Sequence, residues 1–180
     1  GTFNEFDPRL KLENKIKFYS DSLEEVDWVI GCAMLINLEK FETRKLFDEN
    51  IFLYFDEFDL CRRVKVIKGN IYSNKNLIVK HLGKKGSGDS KYPLEFEMLR
   101  NWHWMWSTFY YHRKHYSYLY AVYKTYGKLF RSIFNTLLFI ILFNKKKRNV
   151  YYARALGIIN GMLGKKSWYR IKSLFSDQES

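Results

Sequence analysis

Phe47-Asp48-Glu49-Asn50-Ile51-Phe52-Leu53-Tyr54-Phe55-Asp56-Glu57-Phe58-Asp59-Leu60-Cys61-Arg62-Arg63 is the stretch whose reading decides the fold. Its centre, Phe52 to Phe55, is short, apolar and aromatic, which predicts a strand. Three acids in the next four residues, followed by Leu60, Val64 and Ile67 at helical spacing, predict a helix that opens at Asp56 and is closed by Gly69. Carboxylates belong at that end of a helix, where its dipole is positive. A strand running into this helix would place the acids at the mouth of an α/β sheet, where ligands bind. The acids alone also suit a helix cap, with Asp56 as N-cap and Asp59 three residues on.

Upstream, Asp27 to Ile36 contains the near-continuous apolar run Trp28-Val29-Ile30-Gly31-Cys32-Ala33-Met34-Leu35-Ile36, the pattern of a strand buried on both faces, and Leu38 to Lys45 has helical character. Residues 1–25 are polar and mixed, reading as a loop with a short helix near Leu10 to Phe18. They hold no continuous apolar stretch and so do not read as a signal peptide. Downstream, Asn70 to Ser73 and Leu77 to His81 read as two short strands, and Gly83 to Ser90 as a Gly/Lys/Ser loop. The fold class expected from these elements is α/β.

Beyond Pro93 the character changes. Between Trp102 and Tyr126 lie three tryptophans, one phenylalanine and seven tyrosines, interleaved with basic residues and free of Pro and Gly. One long helix is expected there, with Trp102, Trp106, Phe109, Arg113, Tyr116 and Tyr120 along one face. A further apolar block runs from Leu129 to Phe143, and Lys145-Lys146-Lys147-Arg148 follow it. Its uninterrupted part, Leu137 to Phe143, is seven residues, far short of the ~20 a spanning helix needs. An interfacial helix is the better reading, with residues 100–148 in the interface. The chain therefore divides into residues 1–95, a sheet-containing part, and residues 96–180, a helical basic tail. No internal repeat is visible.

Charge follows the same division. Residues 1–90 hold fifteen basic and fifteen acidic side chains, while residues 91–180 hold sixteen basic and four acidic ones, so the whole net charge of +12 lies in the second half. Such a half attracts polyanions, either nucleic acid or an anionic membrane surface. Basic residues interleaved with aromatics suit single-stranded nucleic acid. Trp and Tyr beside an apolar helix flanked by Lys and Arg suit a membrane interface better, and no nucleic-acid motif is present. Cys32 and Cys61 read as free thiols. A zinc site from His103, His112, His115 and a cysteine matches no common ligand spacing.

The order of these elements resembles the acceptor half of the family 2 inverting glycosyltransferases, in the rhamnosyltransferase-like branch that builds bacterial surface polysaccharides. The residues that carry it are the glycine-centred run Asp27 to Ile36, the Phe47-Asp48-Glu49 triplet, Phe52 to Phe55 followed by an acidic pair and Asp59-Leu60-Cys61, and the segment ending in His81 before a Gly/Ser loop. The resemblance implies the C-terminal portion of a GT-A-like fold. It implies transfer of a hexosyl or deoxyhexosyl group, with inversion, from a nucleotide-diphosphate sugar to a glycan or lipid-linked glycan. It places Glu57 where the family has its general base, in the order Asp56-Glu57 rather than Glu-Asp, so Asp56 is the alternative proton acceptor. Asp59 takes a supporting role, Gly31 a close approach to the sugar, and Trp28 a stacking surface for the acceptor. His81 matches a ligand of a divalent Mg2+ or Mn2+ ion, and Lys84, Lys85 and Ser87 contacts to diphosphate. Nothing before Asp27 resembles the nucleotide-binding half or its Asp-x-Asp metal motif, and no other phosphate-binding glycine motif replaces them. The chain is thus expected to be a fragment, inactive by itself, belonging to a protein attached peripherally to the cytoplasmic face of the cell membrane.

Overall fold

The computed structural model describes residues 23–41, 46–80 and 92–171. Its ordered elements are strand β1 (Leu23–Glu25), helix α1 (Asp56–Val66), strand β2 (Tyr72–Asn74) and helices α2 (Pro93–His115), α3 (Tyr118–Ile141) and α4 (Lys145–Met162). The described residues are mostly helical. Their one sheet is the antiparallel pair β1 and β2, with Leu23 opposite Asn74 and Glu25 opposite Tyr72. Among the described residues no helix is long and apolar enough to cross a membrane.

The core lies between α2 and α4, with α3 against both. Pro93 opens α2, where its missing N–H costs nothing, and His112 to His115 close it at the end the dipole makes negative. Trp102, Met105, Trp106 and Phe109 follow helical spacing and are all buried. Opposite them α4 presents Ala153, Gly157 and Gly161 at every fourth position. A Cβ on Gly157 would lie 2.3 Å from the Trp102 carbonyl oxygen, and one on Gly161 would lie 3.0 Å from the Phe109 ring. The small residues let the α4 backbone rest directly on the α2 rings.

Several expected elements are corrected. Residues 27–36 form no strand: Gly31 and Cys32 make a turn and Leu35 is fully exposed, because among the described residues no neighbouring strand takes the backbone hydrogen bonds. Residues 52–55 form no strand, 53–55 being bends, and the Leu53 carbonyl accepts from the Ser107 hydroxyl of α2 at 2.9 Å. Residues 77–80 carry no strand, while the expected one at Asn70 to Ser73 appears as β2. Of the expected helix at Leu38 to Lys45, residues 38–40 make a 3-10 turn and residues 42–45 lie outside the described ones, as does the short helix placed near Leu10 to Phe18. The long aromatic helix is broken at Tyr116, and Ser117 starts α3 by accepting from the Tyr120 N–H at 3.1 Å. Gly127, the first glycine after the aromatic segment, lies inside α3 with open space around it.

At the end of α1, Lys68 rather than Gly69 takes the left-handed backbone, with φ of 58°. The Gly69 N–H bonds to the Val64 carbonyl at 2.9 Å, and a Cβ there would lie 2.8 Å from Val64 Cγ1. Glycine is needed at that turn for closeness rather than handedness.

Candidate functional site

Tyr54 and Phe55 enter α1 with φ of 66° and 69°, a conformation aromatic residues adopt only at a cost of about 1–3 kcal/mol each. Ring contacts hold them there. Tyr54 meets the edge of Trp104 at 5.2 Å, and Phe55 contacts Trp104 and Tyr111 of α2, both at 5.4 Å. Phe55 is itself the N-cap residue and offers no side-chain cap, so Asp56 is not the cap the sequence suggested. The first two acids, Asp56 and Glu57, are left to interact with each other.

Glu57 and Asp59 are two positions apart, about 200° of helix, so the two carboxylates face opposite ways. On one side Asp56 and Glu57 are hydrogen-bonded, and the Glu57 carboxyl is pushed up to about 7 by burial, by that bond and by the Asp56 charge, against a backbone hydrogen bond that lowers it. Gly31 packs on Glu57: the position its Cβ would take lies 3.5 Å from Glu57 Cβ and 3.9 Å from the carboxyl carbon. Trp28 contacts Phe58 at 4.6 Å and leaves half its surface open. Trp28, Gly31, Asp56 and Glu57 therefore share one face although the expected strand is absent.

On the other side Asp59 is fully buried. Its carboxylate accepts from Arg63 at 2.9 Å and His115 at 2.7 Å, and the Lys114 ammonium lies 2.6 Å away. Lys114 also donates to Asp48 at 2.7 Å, and Tyr110 donates to the same Asp48 oxygen at 2.9 Å. Arg63 donates to the Leu46 carbonyl. Burial would raise both aspartates, but the hydrogen bonds from Lys114 and its neighbours prevail and hold both below the usual carboxylate range. His115 is drawn below its ordinary value, chiefly by burial, so at neutral pH it offers Asp59 a hydrogen bond more than a charge. This network fastens α1 to the end of α2. Asp59 positions the helix that carries Glu57 and does not share the Glu57 surface.

An open cleft of about 290 Å³, lined by Phe47, Asp48, Glu49, Asn50, Arg63 and Lys114, lies on the network side. Of these, Asp48 and Lys114 were not singled out as functional in the sequence. The hint was the Phe47-Asp48-Glu49 triplet together with the basic run at 112–115, whose residues meet across more than sixty positions of chain.

His81, Lys84, Lys85 and Ser87 lie outside the described residues. Among the described ones no three His, Cys, Asp or Glu side chains are grouped to hold a metal ion. A metal needs deprotonated ligands, whereas Asp56 and Glu57 hydrogen-bond each other and Glu57 keeps its proton up to about pH 7. Among the described residues that pair does not fit a divalent ion. The zinc set is also dispersed: His103 donates from Nε2 to the Tyr169 carbonyl at 2.9 Å, its Nδ1 lies 3.1 Å from the Ser167 hydroxyl, and burial lowers it to about 4.

No family model matches the chain, and no curated protein or solved structure matches it at a significant level.

Proposed function

We propose that the Asp56–Glu57 pair is the proton acceptor of an inverting sugar transfer, in a chain that forms the acceptor side of a GT-A-like domain. The observation that carries this reading is the Glu57 carboxyl, raised to about 7 on a face that also presents Gly31 and the open ring of Trp28. A base with that affinity is half-ionised at neutral pH, where it can accept a proton without holding it too weakly. The acceptor hydroxyl oxygen attacks the anomeric carbon, the bond from that carbon to the diphosphate oxygen breaks, and the hydroxyl proton passes to Glu57. One displacement inverts the centre and needs one base. Trp28 offers an apolar ring for the acceptor sugar to lie on, and Gly31 leaves the carboxyl uncovered. The donor is a nucleotide-diphosphate sugar, rhamnose being the sugar the resemblance suggests, and the acceptor a glycan or lipid-linked glycan. A lipid-linked acceptor fits a protein placed peripherally on the cytoplasmic face of the cell membrane.

In the complete enzyme, Glu57→Gln should lower turnover by roughly 10²–10⁴-fold with donor binding nearly unchanged. Transfer assays on that variant and on Asp56→Asn identify the base: near-normal turnover in the first and loss in the second would move the role to Asp56. Activity surviving the double substitution would remove the site from the reaction.

A further inference from the structure

We infer that the outer face of α3 and the turn between α3 and α4 form a docking surface for an anionic lipid bilayer, on which α3 lies with its C-terminal end the deeper. The inference rests on the reading above only for the peripheral location. Packing and charge carry it, and the contact lies away from α2, whose aromatic face is interior.

The fully buried positions of α3 are small residues, with Val122 and Leu129 packed on the core beside them and Phe139 stacked on Tyr151 of α4. Ala121, Thr125 and Ser132 are buried, and the two hydroxyls bond back to the Ala121 and Lys128 carbonyls, both at 2.7 Å, so neither hydroxyl is left without a partner. Most of its large side chains are on the outside. Tyr123, Tyr126, Phe130, Phe134, Leu137 and Ile141 recur every three or four residues, which puts them along one side of the helix over about 27 Å. All six are exposed, Phe130 at 73%. The turn continues the stripe with Leu142 and with Phe143, which is 91% exposed. Such a run exceeds the scattered apolar residues of an ordinary surface and marks an interaction site.

Three features select a bilayer as its occupant. The stripe is graded: its first members are tyrosines, whose rings suit headgroup depth, and its last are Phe, Leu and Ile, which suit the acyl boundary. Between Met98 and Ser176 the chain holds fifteen Lys and Arg and no acid, with Lys124 and Arg131 flanking the stripe. Last, Lys145, Lys146, Lys147 and Arg148 occupy the first turn of α4, where the helix dipole is already positive and acids would stabilise. Lys146 reaches Glu97 at 3.5 Å, and the other three cations concentrate a positive field beside Leu142 and Phe143 that an anionic headgroup layer would neutralise. Nucleic acid would satisfy the cations but not the aliphatic half of the stripe, which has no ring to stack on a base. A second copy would bring like charges together.

The test uses the full 180-residue chain with phosphatidylcholine vesicles, with and without 30% phosphatidylglycerol. Binding to the anionic vesicles should be strong and should persist in part at 1 M NaCl, because buried apolar area is not screened. Replacing both Phe130 and Ile141 with Asp should abolish it while circular dichroism stays native. Since Phe143 has φ of 51°, which Asn tolerates, Phe143→Asn should keep the fold and still weaken binding. Neutralising Lys145, Lys146 and Lys147 with Gln should weaken it by about 10²-fold, on the order of tenfold or less per cation. In a Cys32→Ser background, an environment-sensitive dye on Ile141→Cys should shift further to the blue than on Tyr123→Cys when vesicles are added. No vesicle binding by the folded chain overturns the inference. So does a dimer that buries the dye without lipid, or binding of single-stranded RNA that vanishes with salt and ignores the Phe130 and Ile141 substitutions. None of these outcomes depends on sugar transfer, so the docking surface and the catalytic reading fail separately.

Discussion

Helices α2 and α3 have nearly the same length, 23 and 24 residues, and both are rich in aromatic side chains, yet they sit in the molecule in opposite ways. In α2 the large rings Trp102, Trp106 and Phe109 point inward, and its last turn supplies Lys114 and His115 to the buried carboxylate of α1. In α3 the fully buried positions are Ala121, Thr125 and Ser132, with Val122 and Leu129 partly buried on the core beside them, and the stripe from Tyr123 to Ile141 faces out. Aromatic content therefore does not say whether a helix builds the core or meets a partner. The size of the residue on the face that touches a neighbour does. Two helices with large rings on both facing sides could not approach closely, and α3 and α4 each solve this with a small-residue stripe.

The largest expected effect breaks the comparison directly. Phe109→Ala should cost about 3–5 kcal/mol, since it empties a fully buried ring site against Gly161. Phe130→Ala should stay within about 0.5 kcal/mol, as judged by urea denaturation of both variants. Equal losses would mean that the exposed α3 face is packed after all.

Next in size is Lys114→Met, which removes the cation shared by Asp48 and Asp59 and should cost roughly 3 kcal/mol at pH 7, because it strands buried charge. Asp59 is held below its ordinary value in the folded chain. The stability it contributes is therefore present above the unfolded value near 3.8 and is lost as pH falls through the lower, folded one. The penalty of Lys114→Met should accordingly shrink in acid, and denaturation at pH 7 and pH 3 measures it. A penalty independent of pH would show that Lys114 acts through packing of its stem.

The smallest effect has the opposite sign. Glu57 is raised from 4.5 to about 7, so it destabilises the fold as pH rises through that window, with the full effect above it. Glu57→Gln should then stabilise the chain at pH 8 by about 1 kcal/mol, discounted for the exposure of the group, or ~3 °C in Tm, and leave it unchanged at pH 4. A variant less stable at pH 8 would mean that Glu57 is a structural partner and not a carboxyl kept in an unfavourable place.

Some of this was legible from residues alone. The acidic opening of α1 and its stop near Gly69 follow from local rules, dipole preference and turn closure, that need no distant partner. Gly31 lies beside Glu57 and Trp28 beside Phe58, although the strand expected to bring them there is absent. Apolar runs of four to nine residues, such as Phe52 to Phe55 and Trp28 to Ile36, do not reveal whether their backbone finds a neighbouring strand. Both were misread for that reason. The first gives its Leu53 carbonyl to Ser107, and the second lies at the surface as an irregular segment and a turn.

By itself the sequence determined the uneven charge, the helical second half and the shortness of the apolar block before Lys145, because composition and period are properties of consecutive residues. Only the tertiary structure decided that Asp59 faces inward while Glu57 faces outward, since that depends on Lys114 and His115 arriving from more than fifty residues away. It likewise decided which aromatic helix is interior. Trp102 is buried because Gly157 allows α4 to reach it, and Phe130 is exposed because no described helix covers that side of α3.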